Sequence, residues 1–120
     1  MAGELVPLVM LPRYSTFAGG STEFTTIAMD VTEFENAILN CWRGPLVGGG
    51  DFQLTFQEST DQTSWSTCAG TTADWDPGAS TEDQVTAQLK KRWFRVKLNL
   101  TAASPVVTCW IVGFLEERLA

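Results

Sequence analysis

The sequence contains no histidine, and this absence removes the most common general base of enzymes. It also removes every Ser–His and Cys–His nucleophile pair. No GxSxG, P-loop or dinucleotide-binding glycine motif occurs, and the glycine run Gly48–Gly50 lies between predicted strands. We therefore expect a protein that is not an enzyme and that acts by binding or assembly.

Cysteine is scarce, with three residues at wide spacing: Cys41, Cys68 and Cys109. No CxxC pair is present, so neither a zinc site nor a disulfide framework is predicted. Free thiols fit a protein made in a reducing cytoplasm, while a Cys41–Cys109 bridge stays open if their strands are neighbours. The aspartates between 74 and 83 do not match the spacing of a standard calcium loop. We expect no metal and no cofactor.

Positive charge is limited, because eight Lys and Arg residues face fourteen Asp and Glu residues, giving a net charge of −6. Proteins that bind nucleic acid neutralise phosphates with Lys and Arg, so nucleic acid is not an expected partner. No run of about 18 apolar residues exists, so no membrane span and no membrane partner are predicted. The apolar stretch Leu5–Leu11 follows Glu4 rather than a basic region and does not resemble a secretory signal.

The patterns that are present predict an all-β domain. The chain has 120 residues, the usual size of one domain. Apolar and polar residues alternate most clearly in Asp51–Glu58 and Arg92–Leu100, and also in Phe24–Val31. The last strand, Val106–Leu115, is almost wholly apolar, so we expect it to be central and covered on both faces. About eight such segments predict a single-domain antiparallel β-sandwich, or jelly roll, over residues 21–120.

Three local features add detail to this expectation. Spacing and a capping pattern favour one helical turn near Thr32–Asn36. In the polar turn after the first clear strand, Ser59 and Asp61 are expected to hydrogen-bond backbone amides, with Trp65 folding back over the core. The segment Thr101–Pro105 is expected to make a hairpin-like connection.

Residues 1–20 differ from the rest of the chain and are predicted to be extended. Pro7 and Pro12 exclude a central strand. Two alternatives remain open: an edge strand packed on its own sandwich, and an arm that docks on a neighbouring subunit. The second alternative predicts partner-binding residues at Leu5, Val6, Leu8, Val9, Met10 and Leu11.

Five tryptophans are many for a chain of this length. Trp42 and Trp110 each follow a cysteine in an apolar strand and are predicted to pack in the core. Trp75 lies in a polar loop, and Trp93 lies beside Arg95 on the predicted outward side of a strand. These last three residues are candidate surface contacts for a sugar ring or a protein partner.

One stretch resembles a known pattern. An alternating strand runs into Ser59-x-Asp61 and then Trp65, and Arg92-Trp93-Phe94-Arg95-Val96 follows. Over Asp51–Leu100 this arrangement resembles the discoidin-like, galactose-binding-type jelly rolls. It is also similar to small β-sandwich structural proteins of tailed bacteriophages, which often end in a strand resembling Pro105–Arg118. Secreted discoidin domains are usually longer and carry a disulfide that joins their ends. The short length, the cysteines away from the ends and the apolar N-terminal segment of this chain therefore favour the resemblance to the phage proteins.

The resemblance implies a non-enzymatic virion structural protein, first of all a capsid decoration or stabilising protein. Such a protein would be a homo-oligomer, bind other capsid proteins, assemble in the host cytoplasm and reside in the virion. A head–tail connector, tail or fibre-base protein is an alternative of the same kind. A carbohydrate-binding module of jelly-roll type is the alternative from another class, with Trp75 and Trp93 stacking on sugar.

Overall fold

The computed structural model describes residues 4–18, 23–48, 50–101 and 105–118. Within these ranges all elements of regular secondary structure are β-strands. No helix long and apolar enough to cross a membrane occurs among them. The strands are β1 (Leu5–Ala18), β2 (Glu23–Thr25), β3 (Met29–Asp30), β4 (Phe34–Arg43), β5 (Phe52–Ser59), β6 (Ser66–Thr67), β7 (Thr81–Gln88), β8 (Trp93–Leu100) and β9 (Val106–Glu117).

The strands form two antiparallel sheets. The first sheet has the order β1-β9-β4-β7, and the second has the order β2-β8-β5-β6 with β3 also paired to β8. This arrangement confirms the predicted single-domain β-sandwich. Part of Thr101–Pro105 lies outside the described residues, but this segment joins β8 of the second sheet to β9 of the first. The prediction of a hairpin there was wrong, because a hairpin joins neighbouring strands of one sheet.

The core lies between the two sheets, as the alternation predicted. Inward residues of β5 and β8 are almost wholly buried: Phe52, Leu54, Phe56, Phe94, Val96, Leu98 and Leu100. The first sheet covers them with Leu8, Ala37, Leu39, Cys41, Val107, Cys109 and Ile111. Each large apolar side chain removed from water contributes about 1.5–3 kcal/mol, so these two layers provide the main stabilisation.

Strand β1 forms the edge of the first sheet. It pairs with β9 from Leu5 opposite Glu116 to Ala18 opposite Val106. Pro7 is tolerated because an edge strand leaves one side without sheet hydrogen bonds. Of the two predicted alternatives, the structure therefore shows the edge strand, and Leu5–Ala18 belongs to the sandwich. Residues 1–3 and 19–20 of the predicted arm lie outside the described residues.

The region before β4 differs from its prediction. Phe24–Val31 is not one strand: its start belongs to β2, β3 lies near its end, and Ile27 between them is 88% exposed. The helical turn predicted near Thr32–Asn36 is also wrong. The Asp30 carboxylate accepts hydrogen bonds from the Thr32 amide (3.1 Å) and hydroxyl (2.6 Å), which stabilises a tight turn, and β4 begins directly after it.

The turn after β5 contains the predicted hydrogen bonds. The Ser59 hydroxyl accepts from the two amides that begin the turn, at 3.1 and 2.9 Å. The Asp61 carboxylate accepts from the two amides that end it, at 2.8 and 2.9 Å. The prediction for Trp65 was wrong, because its ring stacks on the Arg95 guanidinium on the outward side of the second sheet (4.0 Å to the ring centroid).

Candidate functional site

The outward side of the first sheet carries a set of apolar side chains. Along β9, Ile111 and Leu115 are buried on the core side, so Val112 and Phe114 point outward. Phe114 pairs with Pro7 of β1 and with Ile38 of β4, and Val112 pairs with Val9. We call this set the apolar face; it consists of Leu5, Pro7, Val9, Ile38, Val112 and Phe114.

This face remains open to solvent. Leu5 is 52% exposed, Val9 is 59% exposed and Phe114 is 40% exposed. The sequence predicted a central β9 covered on both sides. Its central position between β1 and β4 is confirmed, but within the described residues no second sheet covers its outward side. A contiguous exposed apolar patch of this kind is a candidate interaction surface.

An aromatic cluster continues the apolar face towards the start of β9. Trp42 and Trp110 pair across β4 and β9 and stack with ring centroids 4.4 Å apart. Tyr14 meets the Trp110 ring edge-on at 5.4 Å, and the Arg13 guanidinium lies over the same ring at 4.8 Å. The predicted packing of both tryptophans between the sheets was wrong, because Cys41 and Cys109 take the inward positions. The predicted burial is confirmed for Trp110, which is covered on the outward side by its aromatic neighbours.

Two features of the aromatic cluster are unusual. Trp110 is 8% exposed, and its Nε1–H has no hydrogen-bond acceptor among the described residues. Tyr14 has a φ of 63°, in the left-handed region that non-glycine residues rarely adopt. It lies in the irregular part of β1 between Leu11 and Ser15, which turns its ring onto Trp110. Local strain therefore accompanies the placement of an exposed aromatic ring on this face.

The six residues of β1 that are predicted to bind a partner do not all lie on the same side of the sheet. Alternation along β1 sends every second side chain into the chain's own core. Leu8 and Met10 are buried there, Val6 and Leu11 are partly buried against it, and Leu5 and Val9 are exposed. Docking of this segment on a partner stays a prediction.

A second apolar feature is a cleft of about 390 Å³ at one side of the sandwich. Its walls come from β1, β2, β3 and β8 and include Met10, Phe17, Phe24 and Met29, with Ile27 also contributing. The volume lies in the range of small-molecule pockets. The sequence did not reveal this cleft, because its walls come from segments far apart in the chain.

The outward side of the second sheet is polar and aromatic. Arg95 pairs with Gln57 and donates a hydrogen bond from Nε to the Gln57 side-chain oxygen (2.9 Å). Trp65 covers the Arg95 guanidinium, and the Arg92 guanidinium lies 5.0 Å from the centre of the Trp93 ring. We call Gln57, Trp65, Trp93 and Arg95 the polar-aromatic face.

The structure does not bring Trp75 and Trp93 together. Trp75 is half-buried, packs on the core and lies 6.2 Å from the Phe56 ring, while its backbone bonds to Leu54. Trp93 lies on the opposite side of the same sheet, since its neighbour Phe94 points inward. Of the three predicted surface contacts, Trp93 and Arg95 therefore share a face and Trp75 does not.

All three cysteines are buried free thiols. Burial raises the pKa of each thiol to about 12. Cys41 lies opposite Ile111 and Cys109 lies opposite Arg43, so the two cysteines are diagonal neighbours on the core side of β4 and β9. Their thiols are neutral and enclosed, which leaves them without nucleophilic character at neutral pH.

Several acidic side chains of the described segments make structural bonds. Arg43 binds Asp76 through two nitrogen atoms, and Glu58 accepts a hydrogen bond from the Lys90 amide (2.8 Å). The described residues contain no group of three or more Cys, Asp or Glu side chains that could hold a metal ion. Candidate features for function are the two outward faces and the cleft.

The chain matches no protein-family model, no curated protein and no solved structure. The resemblance of Asp51–Leu100 to phage β-sandwich proteins therefore stays a prediction.

Proposed function

We propose that this chain is a non-enzymatic structural protein of a tailed-phage virion, acting as a capsid decoration or stabilising protein. The observation that carries the proposal is the exposed apolar face, which continues into the aromatic cluster on an otherwise acidic domain. The resemblance of Asp51–Leu100 to phage β-sandwich proteins supplies the virion setting. The apolar face supplies an adhesive surface of the kind that assembly requires.

Symmetry explains how such a domain would work. A decoration protein repeats one contact at every equivalent position of the shell, so weak individual contacts add up to stable attachment. The net charge of −6 disfavours contact with packaged DNA and suits the outer surface of the shell. The apolar face and the polar-aromatic face lie on opposite sides of the sandwich, so one chain can contact two neighbours.

The internal bonding also favours a structural role over a catalytic one. Asp76 is held by Arg43, Asp61 by turn amides and Asp30 by Thr32. Hydrogen bonds from these partners lower the pKa of all three carboxyls, so they stay ionised acceptors at neutral pH. A general acid would require the opposite shift.

The test is binding to phage heads. The purified chain is mixed with a panel of tailed-phage heads stripped of their outer proteins, and bound protein is measured by sedimentation. We expect saturation at a fixed number of copies per head and added density outside the shell in electron microscopy. Arg95→Glu should weaken this binding if the polar-aromatic face contacts the lattice, whereas Asp51→Asn on a loop is the control. Absence of binding to every head overturns the proposal.

A carbohydrate-binding module is the second candidate, and the polar-aromatic face favours it. Trp65 and Trp93 offer ring surfaces, and Gln57 and Arg95 offer hydrogen-bonding groups beside them. Sugar rings stack on aromatic faces while their hydroxyl groups bond to such side chains. A glycan panel titrated against tryptophan fluorescence tests this candidate. We expect quenching that Trp93→Ala removes and Trp75→Phe preserves, and unchanged fluorescence at millimolar sugar argues against it.

A further inference from the structure

The outward side of the first sheet lacks a covering layer within the described residues, and we propose that a second copy of this chain covers it. The two first sheets then pack face to face in a symmetric dimer. This inference rests on the assembly role proposed above and narrows it. The apolar face joins two copies, and the two polar-aromatic faces are left on the outer sides of the dimer for other partners.

The size of the sheet is sufficient for such a dimer. Four strands spaced about 4.8 Å apart give a width of about 19 Å. The ten residues of β4, at about 3.3 Å each, give a length of about 33 Å. Each copy therefore offers about 600 Å², and a face-to-face pair buries about 1,200 Å², the lower end of stable specific interfaces.

The charge distribution allows two acidic chains to meet at this surface. With a net charge of −6, two copies repel each other, and acidic residues at the centre of the contact would add to this repulsion. The six residues of the apolar face carry no charge. Charged side chains on this side lie at its margins, with Glu116 beyond Phe114, Arg13 over Trp110 and Glu82 of β7 beside Trp42.

Symmetry determines which residues meet. A two-fold axis in the interface and perpendicular to the strands places β1 on β1 and β9 on β9, so that apolar strands meet apolar strands. An axis parallel to the strands would place β1 on β7, whose outward residues are polar and exposed. The perpendicular axis therefore gives the better match, and its interface is self-complementary.

The same axis brings opposite charges together. If this two-fold axis passes between the Phe114 and Val112 positions, Phe114 of one copy lies on Val112 of the other. Glu116 lies one outward position beyond Phe114, and Trp110, which Arg13 covers, lies one outward position beyond Val112. Glu116 of each copy is therefore placed opposite Trp110 of the second copy and the Arg13 guanidinium that lies over it, and this contact occurs twice. The Glu116 carboxylate also accepts a hydrogen bond from the Asn36 side chain of its own copy (2.8 Å), which leaves its second oxygen for Arg13.

The first experiment measures the mass of the purified chain by analytical ultracentrifugation over a range of concentrations. We expect a reversible dimer. Val9→Asp, at an exposed position of the apolar face, should raise the dimer dissociation constant by at least about tenfold. Ile27→Asp is the matched control, because Ile27 is 88% exposed and lies off this face. Circular dichroism checks that both variants are folded.

The second experiment tests the two-fold arrangement by charge exchange. Arg13→Glu and Glu116→Lys should each weaken the dimer, because each places like charges opposite one another at both contacts. Mixing the two variants restores opposite charges at both contacts, so we expect a mixed dimer close to the parent in affinity. Failure of the mixture to associate more tightly than either variant alone overturns the proposed arrangement.

The outcomes separate this inference from the proposed function, because neither experiment contains a phage head. A chain that stays monomeric at all concentrations, or whose dimer is unaffected by Val9→Asp, overturns the dimer. A dimer of the expected kind that binds no phage head overturns the virion role and leaves the interface standing. A strict monomer that binds heads overturns the interface alone.

Discussion

Arg43 and Asp76 form a two-pronged ion pair, with Nε and Nη2 of the arginine each 2.8 Å from a carboxylate oxygen. The pair joins the end of β4 to the loop before β7. The Arg43 guanidinium also lies 5.4 Å from the Phe52 ring, so it contacts both sheets. Two-pronged arginine–carboxylate pairs are among the stronger polar contacts of proteins.

Asp76→Asn should lower the free energy of unfolding at pH 7 by about 1 kcal/mol, a modest value because Asp76 is partly exposed. The hydrogen bond to Arg43 lowers the pKa of Asp76. A carboxyl with a lowered pKa stabilises the fold above its unfolded pKa of about 3.9 and loses this effect as pH falls through its native pKa. Urea unfolding should therefore show a smaller difference in free energy of unfolding between the parent and Asp76→Asn at pH 3 than at pH 7. Equal stability of Asp76→Asn and Asp51→Asn at pH 7 would contradict this.

Gly113 should not tolerate a side chain. A Cβ at this position would overlap the Ile38 carbonyl oxygen and lie 3.0 Å from the Leu39 Cα, both backbone atoms of β4. Gly113→Ala should lower the free energy of unfolding by about 3 kcal/mol or prevent folding. Gly44→Ala is the control, since its Cβ would meet the Trp42 side chain at 3.3 Å. Comparable losses in thermal unfolding of the two variants would show that β9 can move away from β4.

The three buried thiols should not react in the folded protein. At pH 8 we expect no reaction with Ellman's reagent under native conditions and three thiols per chain in guanidinium chloride. Burial raises each pKa from 9.0 to about 12, so the unfolded chain loses these protons at lower pH than the folded one. Stability should therefore fall as pH rises above 9. Rapid labelling of one thiol in the native protein would disagree with its burial.

Trp110→Phe should be tolerated far better than Trp110→Ala. Phenylalanine keeps an aromatic ring against Trp42 and removes an N–H that has no acceptor among the described residues. We expect a loss of about 1 kcal/mol or less for phenylalanine and about 3 kcal/mol or more for alanine. Denaturant unfolding compares them. Equal losses would mean that the indole N–H has a partner in solution.

The strands that could be predicted are those in which polar and apolar residues alternate. In β5 and β8 only one set of positions is apolar, so the inward side is unambiguous. In β9 both sets are largely apolar, so periodicity gives no preference for the side on which Trp110 lies. In β4 the set that contains Trp42 also contains Asn36 and Asn40, which favours Cys41 as the inward residue, but the apolar character of Ile38 and Trp42 obscures this signal. The observed pairing of β4 with β9 decided which residues face outward.

The candidate site was predictable in part for the same reason. Trp93 and Arg95 belong to an alternating strand, so their outward position followed from the pattern. Trp75 lies in a loop, where no periodicity applies, and its backbone pairing with Leu54 placed it on the core side. The sequence does not distinguish an edge strand from an arm, so it predicts Leu8 and Met10 at a partner surface, whereas pairing of β1 with β9 buries both in the core.

By itself the sequence determined the all-β class, the single domain and the inward sides of its alternating strands, because these depend on local order along the chain. Only the tertiary structure decided strand neighbours, the joining of Arg43 to Asp76 and the outward apolar face. Those depend on register between segments distant in sequence, and a shift of one residue would exchange the two faces of a strand.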